Sequence, residues 1–212
     1  LERKIKNGGQ KGVLRRENAE NPAARIPRAS KSPARRKLLK ELEIDFECHA
    51  SGYEEDMNAR KTAPALAKFL AFKKAEFVAH KYPDSIIIGA DTFGTMNGKK
   101  FGKPKSMTEA KKMIAAYSNN VMKIYTGVAV IKTNDRGTII KKLSEHAVTT
   151  LHFGNISNQE IDQIIKEDDV LNVAGALTIE GHAGKFIHTI YGDYHNVIGL
   201  PLFQVEEMLK KM

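Results

Sequence analysis

Five short stretches of this 212-residue sequence carry side chains able to handle a phosphorylated, metal-bound ligand. Ser30-Lys31-Ser32-Pro33-Ala34-Arg35-Arg36 joins two hydroxyls to three cations just where a helix should begin. Free backbone N–H groups and the positive end of the helix dipole favour an anion at such a junction. The hydroxyls can donate to phosphate oxygens, while Lys31, Arg35 and Arg36 supply charge. Asp91 follows the apolar run Ile86-Ile87-Ile88-Gly89-Ala90, and a carboxylate leaving a buried strand enters the usual ligand crevice of an α/β sheet. Glu54-Glu55-Asp56 could hold a hard cation, since Mg²⁺ sites take one or two carboxylates together with substrate phosphates. Lys73-Lys74 and Lys103-Pro104 complete the set. Each stretch alone also has an ordinary reading: a capped surface helix, an Asp capping a turn, a solvated acidic run, solvent-facing lysines.

The elements that must hold these residues follow from spacing. Residues 1–27, with Gly8-Gly9, Gly12, Asn21-Pro22 and Pro27, lack apolar periodicity and read as a flexible basic leader. Ser32 and Pro33 suit the N-cap and first position of a helix with Leu38, Leu39 and Leu42 inward. Phe46-Glu47-Cys48 is a short strand, with Cys48 expected to be buried. A helix over 63–81 turns Leu66, Ala67, Leu70, Phe77 and Val78 inward and stops at Tyr82-Pro83-Asp84. Ile86–Ala90 is a buried strand, with Asp91-Thr92 just past its end, followed by a loop holding Gly98 and Gly102. Ser106-Met107-Thr108-Glu109 and Ser157-Asn158-Gln159-Glu160 are capping boxes that open helices to Tyr117 and Lys166. Residues 123–133 and 138–152 are long strands joined by Asn134-Asp135-Arg136-Gly137, and a last helix covers 202–211. Hairpin-linked central strands among alternating helices indicate an α/β protein with a mixed sheet.

Composition narrows the function classes. With 42% hydrophobic and 28% charged residues the chain has a globular make-up. No stretch reaches the roughly 18 apolar residues of a membrane span, and no apolar core of a signal peptide stands near residue 1. One cysteine excludes a disulfide framework and any all-Cys zinc site, which favours a cytoplasmic setting. The seven histidines show no His-Glu-x-x-His spacing, and neither a Walker loop nor a Gly-x-Ser-x-Gly elbow occurs. The net charge of +9 is lopsided: residues 1–40 hold 13 Lys and Arg against 3 Glu. That end could be a nucleic-acid arm, but it lacks interleaved aromatics and any known module, so nucleic acid is not the expected partner.

In their order along the chain, these pieces resemble the Maf family. The similarity runs through Ala29–Leu39, the Glu54-Glu55 loop, Lys74-Ala75, Gly89-Ala90-Asp91-Thr92, Gly102-Lys103-Pro104, Tyr125–Val130, Ala174-Gly175-Ala176 and Gly192–Leu202. It covers residues 28–212 as one domain behind the leader at 1–27. The resemblance implies a nucleoside triphosphate pyrophosphatase, releasing monophosphate and pyrophosphate, with a role in sanitising nucleotide pools and a link to arrest of cell division. It implies a two-lobed α/β fold around a long mixed sheet with flanking helices, similar to inosine triphosphate pyrophosphatases. A divalent cation (Mg²⁺ or Mn²⁺) and a homodimer are implied as well. Carried over residue by residue, Asp91 is the catalytic proton acceptor and a metal ligand, and Glu55 the second metal ligand. Lys74 and Lys103 face the triphosphate, and Ser30, Ser32 and Arg35 belong to the phosphate loop. Glu180 stands where family branches differ between Glu and Gln, which makes it a candidate base reader. The base stays open: Ser32–Arg36 and Glu180 are closer to the 7-methyl-GTP branch, Glu54-Glu55 and Asp91-Thr92 to the dTTP/UTP branch. One departure concerns the first strand, where Ala24-Arg25-Ile26-Pro27-Arg28 replaces the family's apolar run and should make a poor central strand. An inosine-triphosphate-type pyrophosphatase is the rival enzyme reading.

Overall fold

The computed structural model describes residues 27–29, 32–54 and 61–212. Ser30, Lys31, Glu55 and residues 1–26 of the leader therefore lie outside the described residues. The elements are β1 (Pro27–Ala29), α1 (Pro33–Lys40), β2 (Glu47–His49), α2 (Ala63–Ala79), β3 (Ile86–Met96), β4 (Lys99–Phe101) and α3 (Met107–Tyr117). Then come β5 (Val121–Thr133), β6 (Ile139–Phe153), α4 (Asn158–Glu167), two short 3₁₀ turns, β7 (Ile187–Tyr191), α5 (Tyr194–Ile198) and α6 (Leu202–Lys210).

The strands form a seven-stranded mixed sheet in the order β2-β1-β3-β5-β6-β7, with β4 added to β3. β1 runs parallel to β2 and β3, and the other pairs are antiparallel. The long antiparallel strands carry two lobes. In the first, α2 lays Ala71, Ala75 and Val78 on Ile87, Ala129 and Ile131 on one face of the sheet. α1 and α6 bring Leu38, Leu39, Val205 and Met208 against Ile88, Ala90, Val128 and Val130 on the opposite face. In the second, α3 and α4 pack Ile114, Tyr117, Ile161 and Ile164 with Met122, Leu151 and Phe153 at the far ends of β5 and β6.

Five expectations need correction. β3 does not stop at Ala90: its pairing with β5 continues to Thr95 opposite Lys123, so Asp91 and Thr92 stand in the middle of a strand. The loop after it is a hairpin, because Asn97 and Gly98 both take positive φ, as a tight primed turn requires, and start β4. β1 does form between β2 and β3, but it is three residues long and its proline takes the first position, where a missing N–H is tolerated. Phe77 is 48% exposed, because the inward stripe of α2 is the small-residue line through Ala67, Ala71, Ala75 and Val78, about 100° away from it. Cys48 is half-buried on the edge strand β2, which begins and ends one residue later than expected.

Candidate active site

Asp91 is 4% exposed and accepts a 2.5 Å hydrogen bond at Oδ1 from Lys74 Nζ, itself on a residue only 9% exposed. The contact depends on how closely α2 approaches the sheet. A Cβ on Gly89 would lie 2.4 Å from the Ala71 carbonyl oxygen, and one on Gly127, opposite Asp91 on β5, 1.9 Å from that of Ala67. Two glycines on neighbouring strands thus form a bed for the helix. Lys74 is one turn past Ala71 on the same helix face, so its ammonium reaches the carboxylate between the strands. Asp91 Oδ2 is buried and has no hydrogen-bond partner among the described residues. A buried carboxylate oxygen without a partner is costly, and such groups gather where a ligand completes them.

Thr92, next along the strand, faces the opposite side, towards α1. Ser32 caps α1, its side chain accepting from the Arg35 backbone N–H at 3.4 Å. Arg35, one turn in, donates from Nε to the Gly199 carbonyl at 2.7 Å and from Nη2 to Thr92 Oγ1 at 2.8 Å. Behind Thr92 lie Thr126 and Asn196, both fully buried. Gly199 has φ +121°, a conformation natural to glycine, and turns its carbonyl to Arg35.

The sheet edge explains how groups on opposite faces can serve one ligand. β5 covers one edge of β3 throughout. On the other edge β1 pairs at Ile88 and β4 from Gly94 onwards, so among the described residues no strand covers 89–93. β1 ends at this gap and leads towards the N-terminus of α1. Ligands of open α/β sheets sit in such crevices beyond the carboxyl ends of strands. Asp91 with Lys74 borders it from one face, Thr92 with Arg35 from the other.

The remaining candidates are spread more widely. Arg36 is exposed and lines a shallow depression of about 500 Å³ with Lys40, Ile44, Asp45, Phe46 and Cys48, apart from Asp91. Lys103 is exposed on the loop between β4 and α3. Glu180, also exposed, accepts a 2.9 Å ion pair from Lys37 on α1, and this pair holds the Lys37 ammonium above the usual lysine range. The loop carrying Glu180 is anchored by Asp168, whose buried carboxylate accepts from the backbone N–H groups of His182 at 2.8 Å and Ala183 at 3.1 Å. Sequence reasoning overlooked Lys37, Thr126 and Asn196 as members of the site. Asn196 and Thr126 lie within motifs noted above, but a buried hydroxyl or amide has no spacing signal of its own.

Among the described residues no three His, Cys, Asp or Glu side chains cluster as a ready-made metal centre. The unpartnered Asp91 Oδ2 fits a cation bound by one or two carboxylates and completed by ligand phosphates.

Residues 25–212 match the family described as Maf-like protein. A relative described as dTTP/UTP pyrophosphatase, from Alkaliphilus oremlandii (strain OhILAs), is 39% identical over 183 residues, 86% of this chain and 93% of its own. Two others so described, from Alkaliphilus metalliredigens (strain QYMF) and Clostridium novyi (strain NT), are 36% and 37% identical over 88% and 87% of this chain and 95% of theirs. Among solved structures, a HAM1 protein from Coxiella burnetii covers 89% of this chain and 100% of its own, with 13% identity and a TM-score of 0.44.

Proposed function

The chain belongs to the Maf-like protein family, and from that footing we propose that it hydrolyses a pyrimidine nucleoside triphosphate, dTTP or UTP, to the monophosphate and pyrophosphate. The observation that carries the reading is the buried Lys74–Asp91 pair, with one carboxylate oxygen unpartnered, at the open edge of β3. Asp91 Oδ2 takes a proton from the attacking water, while Lys74 fixes the carboxylate through Oδ1. Positioned general-base help of this kind contributes about 10²- to 10⁴-fold. Arg35, Ser32 and the N-terminus of α1 bind the polyphosphate, joined by Ser30, Lys31, Arg36 and Lys103. Water attacks the α-phosphorus, and the departing pyrophosphate is stabilised by these cations. Asp91 and Glu55 would hold Mg²⁺ or Mn²⁺, which when bound neutralises phosphate charge and polarises the phosphoryl oxygens.

The pyrimidine assignment follows the relatives' descriptions, and Lys37–Glu180 supports it. A carboxylate by itself offers two acceptors, as a guanine edge demands. With Lys37 engaged at Oε1 the pair offers one donor and one acceptor, the pattern that a uracil or thymine edge meets with O4 and N3–H. A cytoplasmic homodimer, with residues 28–212 as the catalytic domain, belongs to the same reading.

The test is pyrophosphate release from dTTP, UTP, 7-methyl-GTP and ITP, with divalent cation and with chelator. We expect turnover of dTTP and UTP that needs the cation. Preference for 7-methyl-GTP or ITP would overturn the base assignment, and full activity in chelator the metal's part.

A further inference from the structure

Thr92, Thr126 and Asn196 form a hydrogen-bond chain whose direction can be worked out by counting protons. A guanidinium only donates, so Thr92 Oγ1 accepts from Arg35 Nη2 at 2.8 Å. A backbone carbonyl only accepts, so Thr126 Oγ1 gives its single proton to the Asn196 carbonyl at 3.0 Å. The 3.0 Å contact between the two threonine oxygens must then carry the Thr92 proton. The alternative would send that proton to the Gly199 carbonyl across 3.4 Å, a longer bond to an oxygen that already accepts from Arg35 Nε at 2.7 Å. The order is therefore Arg35 to Thr92 to Thr126 to Asn196. Its far end is fixed, because the Asn196 side chain donates to the Ile124 carbonyl at 3.2 Å and to Thr149 Oγ1 at 2.9 Å. Thr149 Oγ1 in turn donates to the Asp193 carbonyl at 2.8 Å. Thr126, Thr149 and Asn196 are each 0% exposed, so no water can stand in for a missing partner without rearrangement.

We infer that Thr126 is a positioning residue for polyphosphate binding: it makes Thr92 an acceptor towards Arg35 and so sets the guanidinium in the crevice. This deepens the pyrophosphatase reading and rests on Arg35 as a phosphate ligand. Thr126 meets no substrate; it acts through Thr92. With valine at 126, Thr92 loses its acceptor and turns its proton to the Gly199 carbonyl, in competition with Arg35 Nε. The arginine then loses the geometry of both of its anchors.

The experiment measures the affinity of the full chain for inorganic tripolyphosphate by calorimetry, well below the unfolding temperature. The set is the parent, Thr126→Val, Thr126→Ser, Arg35→Ala and Arg35→Ala with Thr126→Val. Thr126→Val should weaken binding 5- to 10-fold and raise KM for the nucleotide by a similar factor, with kcat within twofold. Thr126→Ser, which keeps the hydroxyl, should recover most of the affinity. In the Arg35→Ala background Thr126→Val should change nothing further, an outcome that a purely structural role for the threonine would not produce. Equal weakening in both backgrounds, parent-like binding by Thr126→Val, or no tripolyphosphate binding by the parent would each overturn the inference. If Thr126→Val does not fold, Thr126→Ala, which also removes the hydroxyl, carries the same comparison. A parent that binds tripolyphosphate but hydrolyses no nucleotide would refute the pyrophosphatase reading alone.

Discussion

The two oxygens of Asp91 have different surroundings: Oδ1 is held by Lys74, and Oδ2 is buried without a partner. Asp91→Asn keeps the shape but neither accepts a proton nor offers full charge. We expect pyrophosphate release to fall at least about 100-fold while the protein stays folded; turnover within threefold of the parent would exclude Asp91 as the base. Lys74→Met makes the opposite change and leaves a carboxylate in a dry site without its cation. Breaking a buried pair in this way costs about 3–5 kcal/mol, so chemical denaturation should show a large loss of stability as well as lost activity. An unchanged denaturation midpoint would mean that water already reaches the pair. At this scale the sequence was partly legible. Asp91 stood out because an apolar run precedes it, and Arg35 because it opens a helix. Lys37 offered nothing to read, since a lysine on an exposed helix face acquires meaning only when a residue 143 positions away folds against it.

Glycine sets the distance between α2 and the sheet, and through it the position of Lys74. A methyl group on Gly127 would overlap the Ala67 carbonyl at 1.9 Å, and backbone cannot rotate aside as a side chain can. Gly127→Ala should therefore push α2 outwards, cost about 3 kcal/mol or more, and lower activity by drawing Lys74 away from Asp91. A variant with parent-like Tm and turnover would show that the helix has slack. Elements with strong local signals were legible. Ser157 and Glu160 form the reciprocal cap expected of their spacing, and α4 starts there. Elements defined by pairing were not. β3 looked five residues long because its apolar run ends at Ala90, while its continuation through Asp91, Thr92 and Gly94 is held by β5 across the sheet. β4 is three residues long and relies on the Asn97-Gly98 turn, a signal present in the sequence and passed over.

For the molecule as a whole, the lobes are joined by the continuous strands β5 and β6, and the crevice is the interval on β3 between β1 and β4. Residues 1–24 precede the family match, which begins at 25. Their deletion should leave kcat/KM within twofold of the parent; a truncated protein that fails to fold would show that the leader is structural. The mixed sheet was legible because hairpin-linked long strands leave few arrangements, whereas the two-lobed plan was implied by the family resemblance alone. The division of labour across the sheet was not, since alternation along β3 assigns a face only once the register is known. That division has a consequence for descent. Asp91 and Lys74 meet on the α2 side, whereas Arg35, Lys37 and Glu180 belong to the α1 side, with a β-sheet as a wall between them. Substitutions on the α1 side can accumulate without disturbing the carboxylate and its lysine. Under the proposed function, a lineage built on this scaffold can thus change the base it admits through Lys37 and Glu180, while Arg35 and the carboxylate–lysine pair stay as they are.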